Sequence, residues 1–136
     1  MSVRIVRLGS PREPGEGPRI GTVRRPPRGV PKARFSTDDW YDTWLPELSP
    51  EPALVARALA TQGDDSPEAE RQWRSFVRAY RAAMRRPGPA HTIALLATLS
   101  HHSDFSVGCY CRDESRCHRS VLRELLREQG ADLAPD

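Results

Sequence analysis

Between Ser66-Pro67-Glu68 and Pro87, the apolar residues Trp73, Phe76, Val77, Tyr80 and Met84 recur at helical spacing. A serine cap with proline at the first helical position opens the run and a second proline closes it, so the segment folds as one long amphipathic helix. Its apolar face must be covered, and the flanking sequence says by what. Upstream, SVRIVRL alternates as a short strand with Val3 and Ile5 on one face, and Arg19 to Val23 (RIGTV) reads as a second strand. Downstream, DFSVGCY reads as a short buried strand. A helix from about Pro50 to Gln62, capped by Ser49 and stopped by Gly63, precedes the long one, and another from about Ala90 to Ser100 follows it. CHRSVLRELLREQG closes the chain as a helix with Val121, Leu122, Leu125 and Leu126 inward and Gly130 as its stop. The order strand, strand, loop, three helices, strand, helix needs a helical crossover between strands. The expected fold is α/β: a small, at least partly parallel sheet with several packed helices in a single domain.

The 136 residues make one domain, 1–136, large enough to bury a single core, with 131–136 expected to fray. Within it, DDWYDTWLPELSP reads as a helical turn or two ended by Pro46, with Trp40, Tyr41 and Trp44 mainly core rather than a stacking platform for bases. No apolar run follows a basic N-terminal start, and the longest apolar stretch, TIALLATL, is shorter than a membrane span, so no membrane association is expected. The three cysteines are odd in number and crowded together, unlike a secreted disulfide framework. A reducing, cytoplasmic setting follows.

Charge is uneven. Residues 1–34 hold eight arginines and Lys32 against Glu13 and Glu16, whereas the rest of the chain is net acidic. Residues 24–34, RRPPRGVPKAR, carry too many prolines for a helix or central strand and form an irregular basic loop. Such a segment attracts an anionic small molecule or a nucleic acid, but Lys32 is the only lysine and arginine is abundant throughout, so charge alone does not single out nucleic acid.

All three cysteines lie in VGCYCRDESRCHRS, Val107 to Ser120. Side chains alternate along a strand, so Cys109 and Cys111 share a face and Tyr110 takes the other. The RDESR loop then returns the chain so that Cys117 opens the last helix close to Cys111, with His118 and Arg119 in its first turn. This is the carboxyl end of a strand feeding a helix N-terminus, where open α/β sheets place ligands and where free N–H groups favour anions and lower a thiol pKa. Three readings fit. Cys109, Cys111, Cys117 and His118 form a complete ligand set for tetrahedral zinc, although C-x-C-x5-C-H lacks the paired spacing of common structural sites. Alternatively Cys111 or Cys117 is a reactive thiol with His118 as base or orienting group, which makes Cys111, Cys117 and His118 catalytic candidates. In the third, Cys109 is core and the other two are incidental or form an occasional disulfide. The C-x4-R outline from Cys111 to Arg116 is a weak match to an anion-wrapping loop, since it has no glycine and carries Asp113 and Glu114. His101 and His102 precede the strand and so lie at its opposite end.

The chain also resembles the DUF488 family, small bacterial proteins of unknown function that include the YeaO-like proteins. The resemblance spans nearly the whole chain. It rests on RLGSP near the start, G-x-RI at Gly17 to Ile20, PRG at Pro27 to Gly29, WLPELSP at Trp44 to Pro50, FVRAYRAAM in the long helix and CYCRDESRCHRSVLRELL at the end. Cys-His-Arg at the start of the final helix is similar to the cysteine-containing branch of the family. What the resemblance implies is an α/β fold with a site at that junction. Many relatives carry a stretch of the form DRLWPRG where this chain has VRRPPRG, with Val23 and Pro26 in place of the acid and the tryptophan. Arg24, Arg28 and Gly29 match. Together with Arg116 and Arg119 they are candidates for holding an anionic ligand beside the cysteines; the oligomeric state does not follow from the sequence.

Overall fold

The computed structural model describes residues 1–135. The regular elements are β1 (Val3–Arg7), β2 (Arg19–Gly21), β3 (Thr43–Trp44), α1 (Pro52–Leu59), α2 (Pro67–Met84), α3 (Pro87–Leu99), β4 (Phe105–Cys109) and α4 (His118–Glu128). The fold is α/β. The strands form one sheet in the order β1-β4-β2-β3, and every neighbouring pair is parallel. All five residues of β4 are buried, as an interior strand covered on both faces must be.

The register sets Val3 beside Phe105, and Ile5 and Ile20 beside Val107, which places these apolar side chains on one face. Phe76 and Tyr80 of α2, Ile93 and Leu96 of α3, and Leu122 and Leu126 of α4 pack against that face. Each such side chain contributes roughly 1.5–3 kcal/mol on full burial, so this layer carries most of the hydrophobic stabilisation. The start of α2 is the expected one: Pro67 opens the helix and the Ser66 hydroxyl accepts the Ala69 N–H at 3.1 Å. Along α2 the rings of Trp73, Phe76 and Tyr80 stack in sequence, and the Tyr80 hydroxyl donates to the Leu48 carbonyl at 2.7 Å.

Loops cover the opposite face. There Arg19, 1% exposed, donates through Nε to Glu16 at 2.6 Å and through its terminal nitrogens to the carbonyls of Ser10, Pro11 and Asp39. Glu16 also accepts from the Ser106 hydroxyl and the Glu13 N–H. Burial alone would raise the Glu16 pKa, but these hydrogen bonds and the Arg19 charge hold it below the ordinary carboxylate value. Gly17 makes the tight entry into β2 at φ +78°, and a Cβ there would lie 1.9 Å from the Asp104 carbonyl oxygen. Gly17→Ala is expected to destabilise the chain by at least about 2 kcal/mol, read as a lower urea midpoint at unchanged slope.

The segment around Trp40 to Leu48 is not the expected helical turn. Asp42 and Leu45 donate their N–H groups to the carbonyls of Arg19 and Gly21, which draws Thr43–Trp44 out as an edge strand before a short 3-10 turn at Pro46–Leu48. The open edge of β2 satisfies these backbone groups better than local helical spacing does. Tyr41 is core as expected, but Trp40 is half-buried, and Trp44 is 41% exposed with its indole N–H on the Val23 carbonyl. Ser49 does not cap α1, which starts at Pro52 behind Glu51; its hydroxyl bonds the Pro50 carbonyl instead. Residues 131–135, expected to fray, run beside β1, where the Val3 N–H meets the Asp132 carbonyl and the Ala134 N–H meets the Val3 carbonyl. Asp136 lies outside the described residues. Among those described, no helix is long and apolar enough to cross a membrane.

Candidate functional site

Parallel pairing brings the carboxyl ends of all the strands to one edge of the sheet. At that edge Leu8 and Gly9 leave β1, Thr22 to Arg25 leave β2, Tyr110 and Cys111 leave β4, and α4 begins. Cys109 ends β4 and Cys117 occupies the extended cap position of α4. Their sulfurs therefore meet at 2.8 Å, both residues 2% exposed. Cys111 is half-buried and lines the cavity at this edge together with Cys109 and His118.

His118 is buried with its ring edge-on to Tyr80, the last ring of the α2 ladder. Its Nε2 lies 2.7 Å from the Thr22 carbonyl oxygen and 3.2 Å from the Thr22 hydroxyl, whose own proton goes to the Gly108 carbonyl. Both partners accept, so Nε2 carries the proton and Nδ1 keeps a lone pair, 3.7 Å from the Cys117 sulfur. Burial pushes the imidazole pKa down to about 4, leaving it neutral at neutral pH. The fixed positive charge is Arg119, 4% exposed, which donates to the Cys111 carbonyl and whose Nε has no partner among the described residues.

The three sulfurs divide their roles. The two neighbouring thiols hold the Cys111 pKa far below the ordinary thiol range. Cys109, hydrogen-bonded as a neutral thiol and deeply buried, is pushed far up. Cys117 is pulled down by the hydrogen bond from Cys109, but its own donation to Cys111 and its burial outweigh that and raise it. One negative charge on the cluster therefore rests on Cys111. Beside it opens a cavity of about 440 Å³ whose walls include Val23, Arg24, Arg25, Val55, Cys111 and His118.

The structure brings the sequence candidates together unevenly. Ligand atoms of Cys109, Cys117 and His118 lie within 4.8 Å of one another, a grouping able to hold a metal ion. Arg24 lines the cavity while bonded to the Ser49 carbonyl and ion-paired to Glu51 at 3.5 Å. Arg28 lines a neighbouring cavity. Gly29 sits in open space at φ +75°, so it serves the turn and not a close backbone approach. Arg116 lines a small cavity with Cys111, Cys117 and His118, but its guanidinium is paired with Glu70 at 2.9 Å and lies over the Trp73 ring. Sequence reasoning did not reach Thr22, which fixes the His118 tautomer through its backbone carbonyl, a group no side-chain pattern reveals. It also missed Tyr110, whose hydroxyl donates to the Arg25 carbonyl at 2.8 Å and ties the cysteine loop to the basic loop. An aromatic between two cysteines was the available signal.

The family model described as the active DUF488-N3 subclade (DUF488-N3a) matches residues 3–130, a span that includes the whole cluster. No curated protein and no solved structure matches the chain.

Proposed function

Because the chain belongs to the DUF488 family, within its active DUF488-N3 subclade, we propose that the cluster is a working thiolate site, with Cys111 as its reactive sulfur beside a cavity that takes an anionic small molecule. The Cys109 and Cys117 thiols hold the charge on Cys111. Arg119 and the N-terminus of α4 add positive potential, and the neutral His118 positions the Cys117 turn. Arg25 at the cavity wall holds the anionic part of the substrate. The observation that carries this reading is geometric: Cys111 is the one half-exposed sulfur of the cluster and lines the cavity, while Cys109 and Cys117 behind it are buried. A subclade described as active agrees with a retained reactive group. Sub-stoichiometric iodoacetamide at pH 6, followed by peptide mapping, is expected to label Cys111 first, with Cys109 and Cys117 intact until unfolding. Equal, slow labelling of all three would count against it.

A zinc centre is the second reading, and the His118 geometry favours it. Metal-bound imidazoles commonly hand their other N–H to a carbonyl, as His118 does to Thr22. The 3.7 Å separation of Nδ1 and the Cys117 sulfur is close to the roughly 3.5 Å edge of a tetrahedron with metal–nitrogen and metal–sulfur bonds of about 2.0 and 2.3 Å. The 2.8 Å sulfur pair is shorter than the roughly 3.8 Å edge between two sulfurs in such a site, so the cysteines would have to part to admit an ion. Elemental analysis showing one zinc per chain, with thiols protected until chelation, would select this reading over the first.

A further inference from the structure

A second cavity, of about 700 Å³, opens at the same edge of the sheet. We propose that it is a nucleotide-type subsite, taking a phosphate on Arg7, Arg25 and Arg28 and a planar ring against Trp40 and Tyr110. Its volume falls within the range of small-molecule sites, and no carboxylate is among its lining residues. Nearby arginines are neutralised: Arg12 by Asp39 and Asp42, Arg19 by Glu16, Arg24 by Glu51. The guanidiniums of Arg7, Arg25 and Arg28 have no such partner among the described residues. All three are exposed residues that line the cavity from two sides, Arg7 from the end of β1 and the other two from the basic loop. Guanidinium forks set around an open cavity match the oxygens of a phosphate.

The aromatic wall is fixed in advance. The rings of Trp40 and Tyr110 meet edge to face at 5.8 Å with an interplanar angle of 78°, forming a corner. Trp40 rests on Gly9, where a Cβ would come within 2.7 Å of the indole, and the Tyr110 hydroxyl is anchored on the Arg25 carbonyl. Rings held this way offer a π-face without an ordering cost on binding, and bases stack on such faces whatever their identity. Leu8, Pro11, Pro26 and Pro27 supply the remaining apolar lining. Arg25 and Tyr110 line both cavities, so a nucleotide seated here lies next to the Cys111 cavity. The binding claim stands without the thiol reading, whereas delivery of a substrate to Cys111 rests on it.

The test is calorimetric titration of the full chain at low salt with adenosine monophosphate, and separately with inorganic phosphate, adenosine and a short single-stranded oligothymidylate. The nucleotide is expected to bind at least about tenfold more tightly than phosphate or adenosine alone, and Arg28→Ala, in an exposed turn, to weaken it by about tenfold. Circular dichroism checks that the variant is folded. An oligonucleotide that binds more tightly than the mononucleotide, with steep salt dependence and the same Arg28 loss, supports the subsite with nucleic acid as its source. A mononucleotide preference supports it with a free nucleotide. No saturable binding of either, a nucleotide no tighter than phosphate or adenosine, or an unchanged affinity in Arg28→Ala would overturn the proposal. Cys111 labelling measured on the same protein shows whether the thiol reading stands or falls separately.

Discussion

Arg19→Leu is expected to cost about 3–5 kcal/mol of stability, because it strands the Glu16 carboxylate in a site that excludes water. For a domain of this size that corresponds to a melting temperature lower by roughly 10–20 °C. The expectation follows from the burial of both partners and from the way the guanidinium is used: besides Glu16 it holds the carbonyls of Ser10, Pro11 and Asp39, which belong to the two loops covering that face of the sheet. Adding Glu16→Leu to Arg19→Leu is expected to restore part of the loss by removing the uncompensated charge, but not all of it, since the Ser10 and Pro11 carbonyls are left without a donor and Asp39 keeps only the Gly9 N–H. Thermal melts of the two variants side by side measure both terms. The pair also predicts acid sensitivity. The folded-state pKa of Glu16 lies below its unfolded value near 4.5, so its contribution is complete above about pH 4.5 and is lost as pH falls through the folded value.

Removing both neighbouring thiols, in Cys109→Ala/Cys117→Ala, is expected to make labelling of Cys111 fall steeply from pH 9 down to pH 6, a range over which labelling of the parent chain is flat. Without them the Cys111 pKa returns toward the ordinary value of about 8.5, where only a fraction of a percent of the thiol is ionised at pH 6. The thiolate that remains is more basic and intrinsically more nucleophilic, which offsets part of the loss. The net effect is therefore smaller than the change in ionised fraction alone. A double variant whose labelling stays as flat with pH as that of the parent chain would show that the neighbouring sulfurs do not control Cys111.

The parts of this architecture that sequence could reach are those encoded in short repeats of residue type. The α2 ladder follows from apolar spacing between Ser66 and Pro87, and the burial of β4 from Phe105, Val107 and Cys109 in a short extended segment. The meeting of Cys109 and Cys117 follows from a strand and a helix start joined by a short loop. What escaped depends on partners distant along the chain. Thr43–Trp44 becomes a strand because the edge of β2 needs partners, which overrides the local spacing of Trp40, Tyr41 and Trp44. The Glu16–Arg19 pair is buried only because the loops after β1 and before β3 close over it. Arg116 stays near the cysteines, but its charge is taken up by Glu70 on α2, a partner distant along the chain. The His118 tautomer depends on a backbone carbonyl, so only the folded chain displays it.

The most direct test of the thiolate account is the rate of Cys111 alkylation measured from pH 5 to pH 9, with zinc determined on the same sample. The account predicts a rate that is nearly flat across this range, as expected of a thiol already ionised at pH 5, in protein containing no stoichiometric metal. A rate that falls about tenfold for each pH unit below 8.5 would contradict it by showing an ordinary thiol. So would one zinc per chain with alkylation blocked until chelation.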